Sequence, residues 1–230
     1  MPNGWLNQDA ATWLGCLDRI IACAEGIAET ARINPTEDAE QLAACLLARS
    51  ISTARAVVRL IRLDHVVEAR MLTRSIFENA FYLYRLAQDG SAFADEMKAD
   101  EILHHRALSR VLDKAIEATG REVSSRMREI INRSLQQSPK GKALNPKELI
   151  SGGLIKGAYV FYKHLSFDAG HPSITALKRH FVESAGNKGF SLEPQLEDGE
   201  ATTTFFYASM ALLIGCITAN NALGRTTGGE

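Results

Sequence analysis

Trp13, Leu14, Leu17, Ile20, Ile21, Ala24 and Ile27 recur at steps of three and four. That spacing keeps one side of a helix apolar, and it predicts a helix over 8–31. Asn34-Pro35-Thr36 then breaks the pattern. Thr36 is placed to cap a second helix, with Glu37 and Asp38 favourable in its first turn, and the Ala- and Leu-rich pattern runs to Arg62. A third helix is predicted over 64–88 and a fourth over 92–118, separated by Asp89-Gly90-Ser91. Gly120 marks the next boundary, and 121–137 reads as a more polar helix.

SPKGKALNP is loop-like, and Asn145, Pro146 and Glu148 look like a cap, a first helical residue and a boxed carboxylate. Gly152-Gly153 interrupts the helix that follows, which resumes through LIKGAYVFYKHLS. FDAGHPS allows a sharp change of direction, a short helix follows to about residue 180, and 187–200 reads as an exposed loop. The last pattern, 201–220, carries no charge. Its length approaches the roughly 20 residues of a membrane span, but Thr202, Thr203, Thr204, Ser209 and Gly215 dilute it, so it reads as a central core helix. No strand alternation or internal repeat stands out. The expectation is an all-α, multi-helix bundle in a single domain over 1–230. Residues 1–34 would supply a packing or dimerisation helix.

Composition narrows the function. The chain has 230 residues, 46% of them apolar, enough for one sizeable core. With 26 basic against 27 acidic residues it lacks the overall charge of a duplex nucleic-acid binder. Cys16, Cys23, Cys45 and Cys216 form no CxxC pair and read as reduced core thiols of a cytoplasmic protein. The N-terminal stretch has no basic run followed by an apolar one, so no signal peptide is expected. There is no glycine-rich nucleotide loop, and no cofactor is expected.

One pattern changes the picture. The stretch RMLTRSIFENAFYLYR (70–85) is apolar enough to be buried, yet it carries Arg70, Arg74, Glu78 and Tyr82 at steps of four. At 3.6 residues per turn these fall on one line. Glu78 can pair with Arg74, and Arg70 needs an acceptor elsewhere. Tyr162, Ser166 and His171 form a second polar group around the late turn. If the two groups meet, they form either a structural ion network or a pocket for a small anionic ligand or a nucleic-acid-related partner. A hydrolase would use His171 as a base, the guanidiniums as anion stabilisers and Ser166 as a nucleophile. A di-metal enzyme would draw on Glu101 and His104, spaced E-x-x-H, and on Asp168 and His171, spaced D-x-x-H.

On RSIFENAFYLY, with Arg74 and Glu78, and on YKHLSFDAGHPS, with Tyr162, Ser166 and His171, the chain resembles a bacterial family of helical proteins of unknown function, similar to HEPN bundles, over about residues 40–220. Many HEPN proteins are ribonucleases or partners in toxin–antitoxin and phage-defence systems. Their motif, an arginine followed after four to six residues by a histidine, is missing here: His171 follows YKHLSFDAG. The resemblance therefore implies a non-catalytic binding or regulatory protein, associated with defence. Helix-rich packing through the first or last apolar helix would make a homodimer. Hydrolase or di-metal chemistry in the same polar interior is the alternative.

Overall fold

The computed structural model describes residues 8–120, 124–136, 141–150, 154–184 and 187–224. It is an all-α bundle. Helices α1 (Gln8–Thr30), α2 (Asp38–Arg62), α3 (Val66–Asp89) and α9 (Glu200–Ala222) make its centre, with α9 packed against α3, α1 and α2. Neighbours on three sides bury most of the apolar surface of α9, while Leu213 and Ile217 stay exposed. The core is built from Leu17 and Ile21 of α1, Leu47, Val57 and Ile61 of α2, Ile76, Phe77 and Phe81 of α3, and Phe205 and Leu212 of α9. Although α9 has the length and hydropathy of a membrane span, its buried face is the middle of this core.

Helix α4 (Ser91–Thr119) follows α3 after Gly90 alone, whose φ of 52° suits a residue without a side chain. Only the start of α4 is buried, through Phe93, Ala94 and Ala99. Its later turns contact the polar α5 (Ser125–Leu135). The short α6 (Pro146–Leu149) is capped as the sequence suggests, Asn145 Oδ1 accepting from the Lys147 N–H at 3.0 Å. The carboxylate of Glu148 turns instead to Lys142, 2.5 Å away.

A 3₁₀ turn (Leu154–Gly157) leads into α7 (Ala158–Leu165), which widens into a π-helical turn (Ser166–Gly170). Both α7 and the π turn lie on α3. Then come α8 (Ile174–Lys178), capped by Ser173 Oγ on the Ala176 N–H, and the strands β1 (Phe181–Ser184) and β2 (Asn187–Phe190).

Three expectations are corrected. Thr36 does not cap α2; the cap position is Glu37. Asn34 Oδ1 accepts from both the N–H and the hydroxyl of Thr36, and Glu40 accepts from the Asn34 N–H, so the Asn side chain organises the turn. The segment 187–200 begins as a strand, with Phe181 opposite Phe190 in an antiparallel pair. A ladder four residues long is too short to show an alternation in sequence. Of the thiols, only Cys216 is buried, which pushes its pKa up to about 12, while Cys23 and Cys45 are exposed. The expected interruption at Gly152-Gly153 lies outside the described residues.

Candidate functional site

The α3 stripe meets the late turn in the interior. Arg70 is 2% exposed. Its Nε donates to Asp168 Oδ2 at 2.5 Å and its Nη1 to Thr204 Oγ1 at 3.3 Å. Asp168, 5% exposed, sits in the π turn and accepts on its other oxygen from Arg179 Nη2 at 2.5 Å. Arg179, just past α8, also grips Glu200 with two bonds, Nη1 to Oε2 at 2.8 Å and Nη2 to Oε1 at 2.5 Å. Glu200, 8% exposed, opens α9 and accepts in addition from the Glu197 N–H at 3.1 Å. Two guanidiniums and two carboxylates thus alternate in a chain that ties α3, the π turn, the end of α8 and the start of α9 together. Such forked pairs are the strongest hydrogen bonds available to side chains.

One helical turn further along α3 lies a second layer. Arg74 Nε donates to Ser166 Oγ at 2.8 Å and Nη2 to Tyr162 OH at 2.7 Å. The Tyr162 hydroxyl in turn donates to Glu78 Oε1 at 3.0 Å, and Glu78 lies 3.0 Å from Arg74 Nη2. The guanidinium stacks 4.7 Å over the Tyr162 ring. Burial first, and then the Glu78 charge, raise the Tyr162 pKa, so the phenol stays protonated and remains a donor. Gly170 makes this approach possible: a Cβ there would lie 3.1 Å from Arg74 Cδ.

The residues expected at the site divide accordingly. Arg70, Arg74, Glu78, Tyr162 and Ser166 come together. Tyr82 continues the line but packs on Phe93, ring centroids 5.9 Å apart, and its pKa is raised by burial and by the charges of Asp100 and Glu78. His171 lies on the surface, in extended backbone beyond the π turn, and its imidazole takes no part in either layer. The di-metal set does not assemble. Glu101 and His104 are exposed, with His104 Nδ1 3.0 Å from the Asp100 carbonyl, and both Asp168 oxygens are occupied by guanidiniums. Among the described residues no group of three metal-binding side chains is gathered. The reason is geometric: Asp168 and His171 are three apart, but the turn between them sends one inward and the other out.

Sequence reasoning missed Arg179, Glu200 and Thr204, and placed Asp168 in the metal alternative or as a partner of His171 at the turn. Each has a commonplace local explanation, such as a helix-terminal charge or a turn aspartate. Only tertiary contact joins them.

The network carries a pH signature. Burial alone would raise the Asp168 pKa, but the hydrogen bond from Arg179 and the charges of Arg70 and Arg179 hold it below the usual carboxylate range. A carboxyl with a folded value below its unfolded one, about 4, stabilises the fold above that pH. The contribution is lost as pH falls through the folded value. Melting curves from neutral pH to about pH 3 should show an acid-labile fold, with a shallower acid dependence in Asp168→Asn. Equal slopes in the two proteins would contradict this assignment.

Residues 40–189 match the model of a family of unknown function, DUF5677. The chain belongs to that family. None of the curated proteins matches it, and none of the solved structures does. The DUF5677 span holds nearly all of α2, all of α3, the Arg74 layer and the late turn into β2, including Asp168 and Arg179. Glu200 and Thr204, which close the ion network, lie beyond it.

Proposed function

We propose that this chain is a binding or regulatory protein that docks a second copy of itself on the apolar face of its late segment, and that the polar interior serves as the clasp holding that segment in place. The observation that carries this reading is the exposure of Phe167, Ile174, Leu177, Phe181, Phe190 and Leu192 within one stretch of chain, Phe190 at 78% and Leu192 at 87%. Exposed apolar residues in such number mark an interaction surface. An isolated pair of short strands is marginal in water, so β1 and β2 gain from being covered. An apolar patch is also its own complement across a two-fold axis.

The state of the polar groups argues for binding over turnover. The Ser166 hydroxyl donates to the Tyr162 carbonyl at 2.8 Å while accepting from Arg74, so its proton faces no base. An anion offered to the interior meets guanidiniums already neutralised by Asp168 and Glu200. The likeness to HEPN bundles adds a defence-associated setting to this reading, and the exposed free thiols of Cys23 and Cys45 suit a reducing cytoplasm.

Sedimentation of the unsubstituted chain is expected to give a dimer. Phe190→Glu with Leu192→Glu is expected to give a monomer of unchanged helix content. A monomer for the unsubstituted chain at its highest soluble concentration would overturn the reading.

A further inference from the structure

A surface cleft of about 550 Å³ opens above the buried ion network. Its volume is that of a small-molecule site. The floor is Arg70, Asp168, Arg179 and Glu200, whose two positive and two negative charges cancel. The walls are what give the cleft character. One is the end of α8, which brings Lys178. The other is the segment before α9, which brings Glu197 and Asp198. The two walls are fixed across from each other by backbone, the Gln195 N–H donating to the Arg179 carbonyl at 2.7 Å. They carry opposite signs, all three side chains are exposed, and no ion pair joins Lys178 to Glu197 or Asp198. The floor, moreover, has a donor in excess. Arg179 spends both terminal nitrogens on carboxylates, and its buried Nε has no acceptor among the described residues.

An anion alone would meet Lys178 but also two facing carboxylates, and a cation alone would leave Lys178 unmatched. We propose that the cleft is a binding site for a small zwitterion of amino-acid or dipeptide size, its ammonium end held by Glu197 and Asp198 and its carboxylate end by Lys178. This inference stands on the cleft and its walls and does not depend on self-association.

The test is calorimetric titration of the full chain with free L-amino acids and short dipeptides, alongside inorganic phosphate and spermidine. Saturable binding of a zwitterion is expected, weakened at least tenfold both in Lys178→Ala and in Glu197→Gln with Asp198→Asn. These residues are exposed, so the variants should melt as the parent does, and melting curves check it. Binding of phosphate alone, of spermidine alone or of none of the probes would overturn the proposal. So would zwitterion binding that the wall substitutions leave unchanged, or variants whose lost binding accompanies lost melting temperature while Lys178→Arg fails to restore it.

Discussion

Asp168→Ala is expected to cost about 3–5 kcal/mol of folding stability, the usual penalty for removing one partner of a buried ion pair. The loss comes from what is left behind. Arg70, at 2% exposure, would keep only the 3.3 Å contact to Thr204, and its charge would have no counterion within the network. Arg179 would retain Glu200. For a chain of this length the melting temperature should fall by roughly 10 °C. A second substitution isolates the cause. In Arg70→Met with Asp168→Leu, the orphaned charge is gone and the Arg179–Glu200 pair remains neutral, so most of the lost stability should return. Thermal and urea melts decide it. An Asp168→Ala protein that melts within a few degrees of the parent would show that the clasp contributes little. A double variant no better than Asp168→Ala would show that hydrogen-bond geometry, and not unpaired charge, sets the cost.

Phe77→Ala is expected to be equally severe, again about 3–5 kcal/mol, by another route. Phe77 is fully buried, with its ring between Phe81 at 6.3 Å and Phe161 at 6.2 Å. It therefore joins α3 to α7 through an apolar cluster. Truncation leaves a cavity that two neighbouring helices cannot both relax to fill, and Phe77→Leu should cost less because it fills part of that space. The acid dependence assigned to Asp168 should survive in Phe77→Ala, since the charges are untouched. Comparing the pH slopes of the two single variants separates the apolar contribution of α3 from its polar one. A Phe77→Ala protein as stable as the parent would mean that α7 is not held through this ring cluster.

The two routes differed in how openly the sequence announced them. Phe77 belongs to a run of apolar residues at helical spacing, and the 3.6 period placed α1, α3 and α9 within a residue or two of their ends. The stripe of Arg70, Arg74 and Glu78 was equally visible, because four-residue steps put side chains on one line. Tyr162 and Ser166 stood out as polar residues in an apolar segment, but whether the stripe meets them is decided by the fold. Arg179 and Glu200 gave no such sign. A charge at the end of a short helix, or in the first turn of a long one, has a sufficient local explanation in the helix dipole. His171 misled for the converse reason. A titratable residue beside a turn looks like chemistry, but the π turn directs Asp168 inward and leaves the imidazole in solvent. Backbone geometry of that kind is not written in residue type.

The position of α9 in the chain has a consequence for synthesis. The helix that completes the middle of the bundle is made long after α1, α2 and α3, and the acceptors for Arg70 lie 98 and 134 residues downstream of that arginine. Until α9 is made, α1, α2 and α3 keep an apolar trough open where it will lie, and Arg70 waits for its counterion until the π turn with Asp168 has been synthesised. Contacts of such long sequence separation close slowly. The nascent chain is therefore most exposed to aggregation, and most in need of a chaperone, just before α9 emerges.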